Sequence, residues 1–442
     1  MTLFRARWVL PNATTIIRDG VVATNGPRIE WIGRHGDARI AGREVEDLGD
    51  AILVPGLVNA HIHLDLAAFA HALDGLTFFP WIRTLVQGLR EVATPEMLRD
   101  SAEWSVADQL AHGVTTIAHT GPGRESIDAL VKLGARGVAY AEAFGPDPAQ
   151  CSESMRALRV HVEGARRNET ALVRVGVSPH APYSVSDALY RAVAQYAREE
   201  ALPVAVHIAE SGDETALVTR AAGPFADMLR ARGIEVTPRA PSPIALLAST
   251  GVLETKPLCI HAVRVDDTDV ALLAAAGASV AHCPRANAWF GHGSAPVHAL
   301  RAAGVTIGMG TDSIAGNDRV RVLAEAAAAA DETLTAADRL DLVTAHGARS
   351  LGLVGGVLAP GHDADLAAFS VADGERCDAD PVRYLLSHCS AEPSLMTMVA
   401  GVVRARGGRA TELEPRLADA VQAHGARVRA WAAHWRGEST VS

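Results

Sequence analysis

The chain has 442 residues, 48% hydrophobic and 21% charged, with a formal net charge of -10, a profile that supplies a large folded core. The acidic balance argues against a nucleic-acid or anionic-membrane surface, because such surfaces need clustered Lys and Arg. No stretch approaches the roughly 18 uninterrupted apolar residues of a membrane span. The cysteines (Cys151, Cys259, Cys283, Cys377 and Cys389) are scattered without a C-x-x-C pair, which disfavours both a disulfide framework and a zinc ribbon. Arg5 and Arg7 interrupt the first apolar run, so no signal peptide is expected. A reducing, cytoplasmic setting is the expectation.

In chain order, residues 4–10, 20–23 and 29–32 read as short strands, with Asn25-Gly26 as a hairpin turn. This piece is too small to bury a core alone and needs a partner elsewhere. From about residue 52, Val- and Ile-rich runs at 51–58, 114–118, 137–141, 173–177, 204–208, 258–260, 279–281 and 306–309 alternate with helical stretches. The clearest helices are 97–111, 187–198, 267–276 and 297–303. Eight doubly apolar strands alternating with helices predict an α/β fold, a closed (β/α)8 TIM-like barrel. No G-x-G-x-x-G follows the first strand, as a doubly wound nucleotide-binding sheet would require.

The Pro-rich run 231–243 is expected to be an extended loop near the barrel mouth. Residues 326–330 are Ala-rich and read as a packed helix. Strand signals return at 366–369 and 396–403, and 411–435 has helical spacing. The expected organisation is a composite β-sandwich from 1–54 plus 355–410, a barrel over 55–354 and a helical tail over 411–442.

Of 18 histidines, a few are set apart by their placement. His61 and His63 close an apolar strand two residues apart, hence on one face, where both can chelate one ion. His207 ends another strand with Glu210 three residues on. His261 ends a third and Asp312 a fourth. Side chains at the carboxyl ends of barrel strands converge on one mouth. Three imidazoles and a carboxylate suit one divalent transition metal, zinc or alternatively iron, with a position open for water.

The expected substrate-facing set is His180, Trp81, Tyr183 and Arg285. Trp81 reads equally as loop packing or an aromatic lid, and His119 and Glu142 as supporting groups or substrate contacts. Asp65 reads as structural or pocket-lining. Asn287 follows the seventh strand with Arg285, and His292 reads as a loop histidine.

The stretches PGLVNAHIHLDL, SPHAPYSVS, VHIAES, CIHAV, HCPRANAWFGHG, GMGTDS and GHDADLAAF run in order along nearly the whole chain. With them the sequence resembles the amidohydrolase superfamily. The likeness is to its aminohydrolase branch of methylthioadenosine/S-adenosylhomocysteine, guanine and cytosine deaminases and triazine hydrolases. The resemblance implies a barrel with a composite β-sandwich. It implies His61, His63, His207 and Asp312 as metal ligands and Glu210 as the proton shuttle. His261, acting with Asp312, is implied to orient the attacking hydroxide. Binuclear relatives carry a lysine after the fourth strand; His180 stands there instead, so one ion is expected. The branch usually has Ser where this chain has Ala286, which puts the hydrogen bonding of that loop in doubt.

The implied activity is hydrolytic deamination of an amino-substituted N-heterocycle, an adenine-type nucleoside or derivative of the aminodeoxyfutalosine, methylthioadenosine or S-adenosylhomocysteine class. Chloride displacement or cyclic-amide cleavage at the same centre is the rival reaction. A barrel kept only as a non-catalytic scaffold is the rival class. The implied partner is a small heterocyclic substrate, with no nucleic acid or membrane, in a homodimer or larger oligomer.

Overall fold

The N-terminal apolar runs are longer strands than their cores suggest. In the computed structural model, which describes residues 1–329 and 331–439, β1 (Thr2–Asn12), β2 (Thr15–Asn25) and β3 (Arg28–Arg34) form an antiparallel meander. Gly26 sits at φ 54° in the β2–β3 turn, as the Asn-Gly signal requires. The short β4 (Glu46–Asp47) and then β5 (Ala51–Pro55) run parallel to β1.

The expected first barrel strand, 51–58, is two strands. Its first half, β5, belongs to the composite sheet, and the second half begins β6 (Leu57–Ile62) in the barrel. Gly56 is the crossing point: a Cβ there would lie 2.2 Å from Thr115 Oγ1, so only glycine lets the chain pass this close. Continuous hydrophobicity hid the break.

Six strands match the remaining early and middle runs: β7 (Val114–Gly121), β8 (Arg136–Ala143), β9 (Val173–Pro179), β10 (Ala205–Ile208), β11 (Leu258–His261) and β12 (Ser279–His282). β13 (Thr306–Met309) is the last of the barrel. β6–β9 and β10–β13 are two parallel four-stranded arcs. A Val177–Val204 bridge joins one seam. At the other, the amides of Thr311 and Asp312 both donate to the His61 carbonyl, at 2.8 and 3.0 Å. The two arcs make one barrel, and its strands are buried along almost their whole length.

β14 (Leu366–Ser370) returns antiparallel to β5, completing the link between the chain ends. The run 396–403 is a hairpin, β15 (Met396–Val399) and β16 (Val402–Arg406), broken at Ala400-Gly401, and β17 (Arg409–Ala410) ends the nine-stranded sheet. A Cβ on Gly401, at φ +78°, would meet the Gly26 carbonyl at 1.8 Å.

Between β6 and α2 (Pro95–Ala111) lies α1 (Phe78–Glu91), a helix in the segment that carries Trp81. Its N-cap is Thr77, whose side chain makes no cap bond. The Ala-rich run forms Val322–Ala328, while Ala330 lies outside the described residues. The terminal helix Leu417–Ser439 begins later than expected and packs on α1, α2 and the turn Leu64–Phe69; residues 440–442 lie outside the described residues.

Candidate active site

β6 carries His61, and His63 follows in extended backbone (φ -100°, ψ 101°), so strand alternation turns both imidazoles to one side. Their ring centres are 4.9 Å apart, and the His207 ring on β10 is 4.9 Å from His61 and 5.4 Å from His63. The backbone seam to His61 delivers Asp312, whose Oδ1 lies 3.3 Å from His61 Nε2 and 3.5 Å from His63 Nε2. Ala209, His261, Ala262 and Asp312 all adopt positive φ, from 47° to 74°. Each costs ~1–3 kcal/mol, and strain of this kind gathers where geometry serves function.

Burial holds the His61 imidazole down to about 4 and the His207 imidazole well below its ordinary value, so both rings are neutral with lone pairs free. Burial raises Asp312, but the His61 ring 3.3 Å away, with His261 and His63 beside it, outweighs burial and keeps the carboxylate well below the usual range. Both ring nitrogens of His61 and Nδ1 of His207 are buried without a hydrogen-bond partner among the described residues. Ligand atoms of His61, His63 and Asp312 lie within 4.8 Å of one another, as do those of His61, His207 and His261. Unpaired neutral imidazoles around an ionised carboxylate fit a divalent transition metal.

Glu210 lies just past β10, where the buried carboxylate of Glu214 accepts from the amides of Ala209 (2.7 Å) and Glu210 (3.1 Å). The turn is thereby fixed with Glu210 Oε1 3.6 Å from His261 Nε2 and 3.5 Å from His292 Nε2. Burial raises the Glu210 carboxyl to about 7. His261 Nδ1 meets the amide oxygen of Asn287 at 2.9 Å. Because that oxygen can only accept, Nδ1 carries the hydrogen and Nε2 is left bare toward Glu210.

A cavity opens over these groups. His63, His207, Glu210, His261 and Asp312 border its floor, while Leu85, Val86, Leu89 and Phe144 are among its apolar walls. His180 and Tyr183 border it as well; the His180 ring is 4.8 Å from His207, and Tyr183 stacks on Phe225 at 4.2 Å. Trp81 borders the cavity from α1, and its indole N–H donates to the Ala315 carbonyl at 2.8 Å.

Arg285 does not border the cavity; its guanidinium is ion-paired with Asp318 and lies 3.8 Å from the buried Glu325 carboxylate. Loop 231–243 packs behind the cavity wall, where Ile234 and Val236 join the apolar cluster of Phe78, Trp81 and Tyr183, and Arg232 shares a neighbouring pocket with Glu142 and Phe144. Arg239 ties the loop down through Asp187 (2.6 Å) and the carbonyls of Pro182 (2.6 Å) and Val185 (3.0 Å).

The Amidohydrolase family matches residues 52–403. This chain belongs to the amidohydrolase family. It is 30% identical over 423 residues to a 5-methylthioadenosine/S-adenosylhomocysteine deaminase of Nitratidesulfovibrio vulgaris, covering 92% of this chain and 91% of the relative. It is 34% identical over 293 residues to the aminodeoxyfutalosine deaminase of Deinococcus radiodurans, 63% of this chain and 68% of that one. Its fold is similar to that of a zinc-bound adenosine deaminase from Xanthomonas campestris. The TM-score is 0.83 at 24% identity, covering 97% of this chain and 98% of that one.

Supporting groups in this amidohydrolase were harder to foresee than the cluster itself. Asn59 donates to Gln109 and Thr311, both at 2.9 Å, and accepts from the Thr311 amide at 3.2 Å, stitching the first barrel strand to the last. Glu325 accepts from the Arg285 amide (3.0 Å) and the Asn317 side chain (2.9 Å), joining the loops after β12 and β13. Nothing in their local sequence marks either residue. Glu214, four residues after Glu210, was the one traceable from spacing.

Proposed function

We propose that this amidohydrolase removes an amino group hydrolytically from an adenine-type nucleoside or derivative and releases ammonia. The observation that carries the reading is Glu210. It is a buried carboxyl raised to about 7, bordering the cavity and within 3.6 Å of the bare Nε2 of His261. A group poised near neutrality can both give and take a proton. The relatives named as methylthioadenosine/S-adenosylhomocysteine and aminodeoxyfutalosine deaminases support the substrate class.

His61, His63, His207 and Asp312 would hold one divalent ion, zinc with iron as the alternative. Such an ion supplies Lewis-acid chemistry, lowering the pKa of a water to about 7. His261 Nε2 accepts a hydrogen bond from the attacking water and fixes its direction, while Nδ1 stays bound to Asn287. Water oxygen bonds to the ring carbon bearing the amine as Glu210 Oε1 delivers a proton to the adjacent ring nitrogen. Of the two protons of water, one passes through Glu210 to the amine nitrogen and the other returns Glu210 to its protonated form. The carbon–nitrogen bond then breaks, ammonia departs and a ring carbonyl remains. His180, Tyr183 and Trp81 border the space for the flat ring.

Ammonia release across purines, pyrimidines and triazines tests the reaction. Silence on every amine with turnover of a chlorotriazine or lactam would replace deamination by the rival hydrolysis. Glu210→Gln should retain metal and lose at least about 100-fold in kcat; near-normal turnover would remove Glu210 from its role.

A further inference from the structure

His292, in the turn after β12, has no part in the chemistry above, yet it lies against the group that carries it. It is 6% exposed, and its Nε2 is buried without a hydrogen-bond partner among the described residues. That nitrogen is 3.5 Å from Glu210 Oε1, and His261 Nε2 is 3.6 Å from the same oxygen. The His292 ring is fixed by two aromatic neighbours: Phe78 meets it edge-on at 4.5 Å, and Phe290 lies tilted at 5.7 Å. Its amide donates to the Asn287 carbonyl at 2.8 Å. One turn therefore supplies both Asn287, which holds His261, and His292, which faces Glu210.

The two nitrogens against Oε1 are not equivalent. His261 Nε2 is bare, because its ring hydrogen sits on Nδ1 against Asn287. A carboxyl oxygen that gives its proton to a substrate becomes a pure acceptor and needs a donor beside it. Of these two imidazoles only His292 can be that donor, in its Nε2–H tautomer. Burial and Arg264 hold the His292 ring down to about 4 against the opposing pull of Asp312 and Asp213, so it stays neutral and does not take the Glu210 proton. With Nε2–H turned toward Oε1, the hydrogen of Glu210 has the substrate as its outlet. Catalytic hydrogen bonds of this length commonly tighten in the Michaelis complex.

We propose that His292 is the positioning residue of Glu210: its Nε2–H holds Oε1 in place while Glu210 moves protons between water, the ring nitrogen and the amine. His292 itself gains and loses no proton. The inference rests on the deamination reading and adds the group that keeps the proton shuttle aimed. The rival role is packing, since Phe78 and Phe290 lie against the same ring.

The test measures ammonia release from the best-turned-over aminopurine nucleoside by the metal-loaded enzyme, with metal content determined for each variant. His292→Phe keeps the aromatic packing and removes the nitrogen. His292→Gln keeps a donor near the Nε2 position, and His292→Asn carries the same amide on a shorter stem. His292→Phe and His292→Asn should each lose about 10- to 100-fold in kcat with KM within about threefold, the scale of a misplaced catalytic group. His292→Gln should exceed both by about fivefold or more, the worth of one hydrogen bond. Added to Glu210→Gln, His292→Phe should cost less than about twofold further, because the proton shuttle it serves is already gone. Wild-type kcat in His292→Phe, or His292→Phe outperforming His292→Gln, overturns the positioning role in favour of packing and leaves deamination standing. A full additive loss on top of Glu210→Gln overturns it as well. If His292→Phe folds poorly, His292→Gln against His292→Asn decides, and equal kcat in those two overturns the role. Silence on every amine, or near-normal turnover in Glu210→Gln, overturns the reading of the site and this inference together.

Discussion

The bond between His261 Nδ1 and Asn287 Oδ1 offers a direct test of how the site holds its water-facing imidazole. Both residues are buried, at 1% and 0% exposure, and the contact is 2.9 Å. Asn287→Ala leaves a buried N–H unpaired, a cost of about 1–3 kcal/mol, and frees the ring to rotate or change tautomer. Loss of an orienting partner of this sort typically costs about 10- to 100-fold in activity. The expected outcome is a kcat fall in that range with KM within about threefold, since Asn287 does not border the cavity. Asn287→Asp keeps an acceptor at the same place, and Nδ2 of Asn287 has no partner to lose, so its kcat should exceed that of the alanine variant. Steady-state ammonia release, with metal content confirmed equal, measures both. Wild-type kcat in Asn287→Ala, or an aspartate no better than alanine, would refute the orienting role.

Chelation should abolish turnover and lower the thermal midpoint, with zinc restoring both, because an ion that binds only the folded chain at 100 times its Kd adds about 2.7 kcal/mol. A chelated enzyme with full activity would refute the metal reading. Burial raises the Glu325 carboxyl to about 8 despite the hydrogen bonds it accepts. The folded chain then holds a proton there that the unfolded chain releases above about 4.3. This contribution to stability is full below that value and is lost as pH rises toward 8. Urea melts at pH 5, 7 and 9 should therefore show Glu325→Gln gaining on the wild type up to about pH 8, and parallel profiles would contradict the shift. Trp431 packs over Gly88, whose Cβ would lie 2.9 Å from the indole, and its N–H donates to Glu91 at 2.8 Å. Trp431→Ala should loosen α1, which carries Leu85 and Leu89 on the cavity wall, and raise KM about 3- to 10-fold by the general cost of misplaced positioning groups. An unchanged KM would show that the terminal helix does not brace the wall.

The parts of the site legible in sequence were those written as strand-end residues. His61, His63, His207, His261 and Asp312 each close or follow an apolar run, and a barrel brings such ends together whatever lies between. Residues that act across the chain were not legible in this way. Asn59 and Thr311 are 252 positions apart, and Glu325 reaches Arg285 over 40; no local pattern encodes either meeting. The position of Arg285 has the same origin. Its place after β12 predicts a mouth-facing side chain, but a charged group turns to the nearest counter-charge, here Asp318.

The two breaks missed in the fold, at Gly56 and Gly401, share one physical cause. Apolar residues run on across both points, and at Gly56 burial does too: β5 and β6 are buried at every residue although they belong to different sheets, whereas past Gly401 the apolar Val402 is 48% exposed. What changes there is the identity of the neighbour, Thr115 at one break and the Gly26 carbonyl at the other, each too near to admit a Cβ. Gly56 also has a consequence for the site. Its amide donates to the Asp365 carbonyl while Leu57 donates to the Gly113 carbonyl, both at 2.9 Å, so the last bond to the composite sheet and the first to the barrel fall on adjacent residues. Five residues later the same strand delivers His61. The start of the barrel strand that carries the H-x-H pair is thus clamped by the chain's own C-terminal half, through Asp365, which gives the composite sheet a structural part in fixing the register of His61 and His63.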